Sequence, residues 1–309
     1  MQTIIHGGLV IPATGQEPIT RGIVAIEEGR IVAVGRGADL GELHSGVHRL
    51  DATGCTVLPG LIDGHVHVFT YPHNAGFTEA EATVWVTNYL RSALCAGVTS
   101  VRDLSSPWDA IHAVKRGVEE KWIVGPRMRV AGRAIAMTGG HGYNEGVLEA
   151  DGIIGLRRAA REQLKHGADV IKLMATGGVA TPGELPTSWQ LEVDEMRAAV
   201  QEAHKRGRPA TAHAYATGGI KNALLAGVDG IEHGVYLDDD VIERMLEQGT
   251  FLSPTMSVYH RIIEAGKVGK MPAYRVEKAK RLAEVHGATF RRAMEAGVKI
   301  SMGTDAVSL

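Results

Sequence analysis

The chain has 309 residues, a formal net charge of -2 at pH 7 and 44% hydrophobic residues, a composition typical of a globular protein with a large core. It has no basic, aromatic pattern that indicates nucleic-acid binding, no apolar stretch long enough to span a membrane and no signal-peptide pattern, so we expect a cytoplasmic protein. Its two cysteines, Cys55 and Cys95, form no CxxC motif and are expected to be small core residues.

Residues 1–57 predict a small β-domain. Short apolar runs at 3–5, 22–26 and 30–34 are broken by Gly, Pro, Asp and Glu, which is the pattern of short strands joined by turns. In residues 58–309, apolar strand-like runs alternate with helical stretches. This alternation is typical of repeated βα units around a parallel sheet.

Eight strands are predicted in the second region, with helices between them. The first strand ends in two histidines, and the others are expected at 99–103, 128–131, 170–174, 210–214, 230–234, 251–254 and 298–302. Helices are expected at 79–96, 108–121, 156–166, 193–206 and 275–296, and the acidic run 238–240 is expected to begin another. This succession indicates an α/β protein with a (β/α)8 TIM-type barrel.

The first predicted strand of the barrel ends in His65 and His67. Because successive side chains of a strand point to opposite faces, the two imidazoles share a face about 6–7 Å apart and can close on one cation. A single His-x-His also arises by chance in a chain with 14 histidines. The pair therefore predicts half of a metal site only if further ligands accompany it.

Four further residues with suitable chemistry occur in the later strands: Lys172, His213, His233 and Asp305. Each lies within or directly after a short apolar run. In parallel barrels the C-terminal ends of the strands converge, and reactive groups gather there. These residues are therefore expected to join the histidine pair in one site, whereas most other histidines, His44 among them, are expected to be surface or ordinary hydrogen-bonding groups.

Lys172 needs a chemical reason to stand among metal ligands. Its ammonium form, with an ordinary pKa near 10.4, would repel a cation. A neutral lysine amine can add carbon dioxide, and the resulting carbamate has two oxygens that can bridge two divalent ions about 3.5–4 Å apart. The alternative is a barrel lysine paired with a carboxylate. The neighbouring histidines favour the bridging role.

These motifs together resemble the amidohydrolase superfamily over almost the whole chain. The resemblance rests on Pro-Gly-Leu-Ile-Asp-Gly-His-Val-His at 59–67, the strand-four lysine, the histidines of strands five and six, and Gly-Thr-Asp at 303–305. The stretches 137–142, 172–178 and 230–234 are similar to the branch of metal-dependent dipeptidases of prolidase and carboxypeptidase type, which lies near imidazolonepropionase. Residues 1–57 resemble the N-terminal half of the family's β-sandwich.

The resemblance implies a binuclear metal site. It assigns His65, His67 and Asp305 to the first ion and His213 and His233 to the second. Carboxylated Lys172 would bridge the two ions. Imidazole and carboxylate ligands favour zinc, although manganese, iron and cobalt also suit such ligands.

The expected chemistry is hydrolysis of a carbon–nitrogen bond. Two ions that share a water lower its pKa towards neutrality, so that hydroxide becomes the nucleophile. Asp305 is expected to accept the proton and return it to the departing amine. Tyr236 and His141 are expected to stabilise the oxyanion, although a tyrosine at that position could simply pack and a histidine in a glycine loop could act as a cap.

The resemblance implies a small amide substrate, above all a dipeptide of Xaa-Pro or related type. Candidates for binding its carboxylate are His141, Arg133 and Tyr215. The alternatives are an organophosphate or lactone ester hydrolase that uses the same site, and an imidazolonepropionase-like cyclic amide hydrolase. Lys172 argues against the last alternative, because that enzyme uses one metal ion.

The carboxyl end of the sequence departs from the family pattern. The sequence stops at Leu309, so the eighth helix and the C-terminal strands of the sandwich are missing from it. A barrel without that helix would expose an apolar flank. We therefore expect a fragment, which could be inactive, or a homo-oligomer in which a second copy covers that surface.

Overall fold

The computed structural model describes residues 2–36 and 47–307. The chain divides into two compact units, Met1–Leu61 and Ile62–Leu309. His44 lies outside the described residues. Within the described residues, no helix combines the length and the apolar character that are needed to cross a membrane.

The first unit is built from short strands. They are β1 Gln2–His6, β2 Leu9–Val10, β3 Ile23–Glu27, β4 Arg30–Gly35, β5 His48–Asp51 and β6 Thr56–Val57. Four of them form a sheet in the order β4-β3-β1-β5, and β2 pairs with β6. The β1–β3 and β3–β4 pairs are antiparallel, whereas β1 and β5 run parallel. The three strands predicted in this region are therefore present.

The second unit alternates strands and helices. Its strands are β7 Leu61–Val66, β8 Val98–Asp103, β9 Arg127–Val130, β10 Ile135–Ala136, β11 Leu148–Glu149, β12 Ile171–Met174, β13 Ala210–Ala214, β14 Gly230–His233, β15 Phe251–Ser253 and β16 Lys299–Ile300. Its helices are α1 Thr70–Asn74, α2 Glu79–Cys95, α3 Ala110–Glu119, α4 Gly152–His166, α5 Val193–Lys205, α6 Thr217–Ala226, α7 Asp239–Gln248, α8 Met256–Lys267 and α9 Ala273–Glu295. The α/β class is confirmed, and α1, α6 and α8 are helices that the sequence pattern does not predict.

The parallel strands form two sheets rather than one continuous ladder. One has the order β7-β8-β9 and the other the order β11-β10-β12-β13-β14-β15-β16. Backbone hydrogen bonds connect their edges: Asp169 N donates to Val130 O at 2.7 Å, and Asp305 N donates to His65 O at 2.8 Å. The sequence predicts one continuous barrel, whereas the ladder of paired strands is interrupted after β9 and after β16. The backbone is irregular at both places, and β16 itself is only two residues long.

Local signals in the sequence set the helix ends. The Thr78 side chain accepts a hydrogen bond from Glu81 N, and the Glu81 side chain accepts one from Thr78 N, which is a capping box for α2. Gly97, with φ of 88°, follows the end of this helix in the left-handed region that glycine tolerates. Asp238 accepts a hydrogen bond from Val241 N at the start of α7. The predicted role of the acidic run as a helix start is confirmed.

The central strands of the larger sheet are covered on both faces. Every residue of β12, β13 and β14 is buried, and Ile171, Leu173 and Ile231 belong to a core cluster that also contains residues of α4, α5 and α6. Polar side chains in these strands therefore have to find partners inside the protein. Both cysteines depart from the sequence expectation, because Cys55 and Cys95 are exposed rather than part of the core.

Candidate metal centre

The end of β7 and the loop after β16 bring three predicted ligands together. His65 Nε2 lies 3.2 Å from His67 Nε2 and 3.5 Å from one carboxylate oxygen of Asp305. The same oxygen lies 3.2 Å from His67 Nε2. Three donor atoms therefore face one another across a triangle with sides of 3.2–3.5 Å.

This triangle fits a metal ion. Zinc binds imidazole nitrogen and carboxylate oxygen at about 2.0–2.2 Å, so ligands at tetrahedral or octahedral angles lie about 2.9–3.5 Å apart. The ligand atoms of His65, His67 and Asp305 all lie within 4.8 Å of one another, as such a site requires. At this separation the two histidine Nε2 atoms can both bind one cation.

The other three predicted ligands line the same cavity. This cavity has a volume of about 150 Å³, and Lys172, His213 and His233 line it together with the first three residues. The His233 ring centroid lies 5.1 Å from that of His65 and 4.6 Å from that of His213. The structure therefore brings all six predicted ligands together, although they come from five strands and the loops that follow them.

In three of the histidines, one ring nitrogen is hydrogen-bonded to the surrounding protein, and this leaves the other ring nitrogen to face the cavity. His65 Nδ1 lies 2.8 Å from a carboxylate oxygen of Glu232, and His67 Nδ1 lies 3.3 Å from the Ser105 carbonyl. His213 instead uses Nε2, which lies 3.2 Å from the Gly177 carbonyl. A carbonyl or carboxylate partner requires an N–H donor, so the ring nitrogen opposite that donor is left as a ligand.

Burial favours the neutral forms that metal binding requires. It lowers the pKa of His213 and of His233 well below the ordinary range. It also lowers the pKa of Lys172 to about 8, so that the neutral amine is far more populated near neutral pH than in an ordinary lysine, although the ammonium form still prevails. Burial opposes ionisation of Asp305, but the neighbouring His65 and His67 outweigh it and lower the pKa of this carboxyl to about 2.

Glu232 is a buried site residue to which the sequence analysis assigns no role. One of its carboxylate oxygens holds His65, and the other accepts hydrogen bonds from Arg102 Nη2 at 2.7 Å and Thr211 Oγ1 at 2.6 Å. Burial alone would raise its pKa, but Arg102 and His65 hold that pKa well below its usual range. Its place directly before His233 is the only signal in the sequence that could have indicated it.

The loop that carries Asp305 is tied to β7. Both carboxylate oxygens of Asp63 accept hydrogen bonds from Thr304, at 3.0 Å from its backbone N and 2.6 Å from its Oγ1.

Two of the predicted ligands have a strained backbone. His233 and Asp305 have positive φ values of 72° and 55°, a region that residues other than glycine rarely adopt. Such backbone strain is typical of functional sites, where the surrounding structure imposes it.

His141 lies at the edge of the cavity in a fixed orientation. Its ring stacks on that of His213 with centroids 4.2 Å apart, and its Nδ1 lies 2.5 Å from a carboxylate oxygen of Glu184. A Cβ atom at Gly178 would overlap the His141 ring, so only glycine allows this approach. The Gln190 side chain also holds this residue in place, because its Oε1 accepts a hydrogen bond from the His141 backbone N.

Two other predicted residues lie elsewhere. Tyr236 is not among the residues that line the cavity; its side chain packs in a neighbouring apolar cluster, and its backbone N donates to the Tyr215 carbonyl. The guanidinium of Arg133 is occupied by the Gly146 and Val147 carbonyls. Neither Tyr236 nor Arg133 is among the residues that line the cavity, so the structure does not bring them together with the predicted ligands.

Tyr215 and Arg275 face the cavity instead. Tyr215 is buried, and its ring centroid lies 4.7 Å from that of His213. Arg275, from the first turn of α9, is held by the Ala180 carbonyl at 3.1 Å and by Glu145 at 3.3 Å. No pattern around residue 275 predicts this cation, because its position depends on how α9 packs over the strand ends.

Known proteins resemble this chain over most of its length. The sequence profile of the amidohydrolase family matches residues 56–309. Ochratoxinase of Aspergillus niger is 31% identical over an alignment that covers 98% of this chain and 68% of that protein. The structure of a prolidase in complex with N-methylphosphonate-L-proline is 32% identical with a TM-score of 0.91, covering 100% of this chain and 79% of that chain. The structure of a Xaa-Pro dipeptidase with bound methionine is 30% identical with a TM-score of 0.89, and the match covers 100% of this chain and 80% of that chain.

Proposed function

The chain belongs to the amidohydrolase family and is a hydrolase, and from this premise we propose that it cleaves an amide bond of an Xaa-Pro dipeptide or a related small molecule with two metal ions. The observation that carries the proposal is the triangle of His65, His67 and Asp305 donor atoms, with sides of 3.2–3.5 Å, beside three further ligands in one cavity. The likeness to a prolidase and a Xaa-Pro dipeptidase supports the substrate class.

The proposed ligands divide into two sets. His65, His67 and Asp305 would hold one ion, His213 and His233 would hold the other, and carboxylated Lys172 would be a ligand of both. When bound, such a pair of divalent ions, zinc in our proposal, supplies a Lewis acid and lowers the pKa of water. The same proposal makes β7, β8, β9 and β12 to β16 the eight strands of a (β/α)8 barrel whose ligands stand at the C-terminal ends.

Asp305 is the proposed proton carrier. Its carboxylate is ionised at neutral pH, since its pKa is about 2, and it stands at the ligand triangle where the attacking water has to lie. It accepts the proton of that water as the carbon–oxygen bond forms. It then donates the proton to the amine nitrogen as the carbon–nitrogen bond breaks, so that the carboxylate is regenerated.

The remaining polar groups of the cavity are proposed to bind the substrate. His141 Nδ1 is engaged by Glu184, so Nε2 is the ring nitrogen left to contact the carbonyl oxygen of the scissile amide. Arg275 and Tyr215 are the groups proposed to receive a substrate carboxylate, because both line the same cavity. A guanidinium is well suited to this role because its planar N–H groups match a carboxylate.

The proposal is tested by metal analysis and a dipeptide screen on the purified chain. We expect two zinc ions per chain and hydrolysis of Xaa-Pro dipeptides. Asp305→Asn should lower kcat by at least about a thousandfold, in the upper range for loss of a general acid–base group. Asp194→Asn, at a side chain that is 70% exposed, is the matched control and should leave kcat unchanged.

Two results would contradict the proposal. One is a folded protein that binds no metal, and the other is an Asp305→Asn variant with the kcat of the wild type. Activity on lactones, phosphotriesters or cyclic amides without peptide cleavage would keep the metal site but overturn the substrate class.

A further inference from the structure

A second cavity, of about 850 Å³, lies at the opposite ends of the strands from the metal ligands. Its lining includes Gly230 and Phe251, the first residues of β14 and β15, whereas the ligand His233 is the last residue of β14. The two cavities are separated by Glu232, which lines the second cavity and also holds His65. The proposed hydrolysis makes no use of this space.

Small and hydroxylated side chains create the space. The interior of a parallel barrel is normally filled by layers of bulky branched residues. Here the lining of the cavity contains Ser100, Thr211, Gly230, Ser253 and Ser301. A cavity of this size falls in the range of about 300–1,000 Å³ that is typical of small-molecule sites.

Two polar groups of the wall lack part of their hydrogen bonding. Ser253 is 2% exposed, and its Oγ has no hydrogen-bond partner within the described residues. Arg102 uses Nε for the Gly64 carbonyl and Nη2 for Glu232, which leaves Nη1 without a hydrogen bond in the described part of the chain. A buried hydroxyl without a partner is costly, so a group that hydrogen-bonds to it stabilises this arrangement.

The charges along the cavity leave an excess of cations. Two acids of the lining pair with cations, Glu119 with Lys115 and Glu232 with Arg102, and Asp229 contacts the His204 ring. Among residues 2–36 and 47–307, neither Lys121 nor Arg127 has a carboxylate within ion-pair distance, and both line the cavity. Apolar side chains such as Ile231, Met128 and Val101 form much of the remaining wall.

We propose that this cavity is a binding site for a small organic anion with one apolar side, an aryl carboxylate or sulfonate. The anionic group lies between Arg102, Arg127 and Lys121 and accepts a hydrogen bond from Ser253, while the apolar part contacts Phe251 and its apolar neighbours. The site is distinct from the metal centre and does not depend on the proposed hydrolysis.

Calorimetric titration of the purified chain with benzenesulfonate tests the proposal, because a sulfonate is a poor ligand for zinc. We expect one site per chain, and methyl phenyl sulfone, a neutral molecule of similar shape, should bind at least about tenfold more weakly. The double variant Lys121→Gln/Arg127→Gln should weaken benzenesulfonate binding by about tenfold, and both side chains are exposed enough for the fold to tolerate the change.

Ser253→Leu provides an independent test by filling the cavity, and it should abolish binding. Asp305→Asn, at the metal centre, should leave the affinity for benzenesulfonate unchanged, so that failure of the metal proposal and failure of this one are distinguishable. No measurable binding at millimolar benzenesulfonate, equal binding of the neutral sulfone, or unchanged affinity in the Lys121/Arg127 variant would overturn the proposal. Loss of binding in Asp305→Asn would do so too, because it would place the anion at the metals.

Discussion

At the scale of single residues, Lys172 is fully buried and shares its cavity with the four histidines and the aspartate of the proposed metal site. Its side chain is 1% exposed, and burial lowers its pKa to about 8. A lysine that is only a counter-ion gains nothing from being partly neutral, whereas carbamate formation requires the neutral amine. In our proposal the neutral amine at this position becomes the bridging carbamate, and the alternative is the simple ion pair that the sequence also allowed.

Lys172→Ala is expected to lower the metal content from two ions per chain to one or fewer, because the bridging oxygens are lost. The measurement is elemental analysis of protein purified in the presence of zinc and bicarbonate. Lys267→Ala, at a side chain that is 64% exposed, serves as the control and should retain both ions. Two ions per chain in the Lys172→Ala variant would show that the lysine is not a ligand.

In the proposed reaction Glu184 would act through His141 as a positioning residue. Its carboxylate accepts from His141 Nδ1 and also from the Gly178 backbone N, so it fixes both the ring and the loop beside it. Glu184→Gln is expected to lower kcat by about tenfold or more and to change KM much less, because the misplaced ring acts mainly in the transition state. Steady-state kinetics measure this difference.

Glu264→Gln is the matched control, since Glu264 is an exposed residue paired only with Lys267. A Glu184→Gln variant whose KM rises while kcat stays constant would indicate that the carboxylate serves substrate binding instead. A variant that loses thermal stability together with kcat would indicate a structural role.

At the scale of secondary-structure elements, α4 and α5 are joined by an ion network on Glu202. Arg157 and Arg161 of α4 and Lys205 of α5 all reach this carboxylate at 2.8–3.1 Å. Hydrogen bonds from Arg161 and Lys205 lower the pKa of Glu202 to about 2. A network on one carboxylate holds the helices together better than an isolated surface pair does.

Glu202→Gln is expected to lower the free energy of unfolding by about 1 kcal/mol at pH 7. Because the folded pKa is lower than the ordinary value of 4.5, the contribution of the ionised carboxylate is complete above that value and declines as the pH falls towards 2. Urea unfolding at pH 7 and pH 4 should therefore show a smaller difference between variant and wild type at pH 4. Glu277→Gln, at an exposed i,i+4 pair, should change stability much less at either pH.

At the scale of the whole molecule, metal binding is expected to stabilise the larger unit, because its ligands come from both ends of the sequence of that unit. Ions that bind only the folded state contribute about 4 kcal/mol when their free concentration is 1,000 times Kd. Removal of the ions with dipicolinate should therefore lower the melting temperature by several degrees, and added zinc should restore it. Equal melting temperatures with and without the chelator would contradict a metal centre that links β7 to the loop after β16.

Much of the fold and of the ligand set could be predicted from the sequence. Strand and helix positions follow from hydrophobic periodicity and local caps, as at α2 and α7, and these are short-range signals. His65, His213 and His233 stand in short strands and His67 directly follows one, and the C-terminal ends of such strands meet in any parallel α/β arrangement of this kind. Their convergence could thus be predicted without knowing which side chains would surround them.

The groups that surround the ligands could not be predicted in this way. Glu232 is 167 positions from His65 in the sequence, and the contact between Arg275 and Glu145 spans 130 positions. No local pattern distinguishes such residues from ordinary strand or helix residues. Tyr236 illustrates the converse, since it stands close to His233 in sequence but points into an apolar cluster.

The sequence by itself determined the α/β class, the alternation of elements and the six candidate ligands, because these depend on periodicity, residue chemistry and the common direction of parallel strands. Only the tertiary structure decided which histidine nitrogens face the site, that Glu232 and Glu184 orient them, and that a second cavity lies at the opposite ends of the strands. The physical reason is that hydrogen-bond partners and cavities arise from long-range packing, where residues far apart in the chain meet at distances that no local pattern encodes.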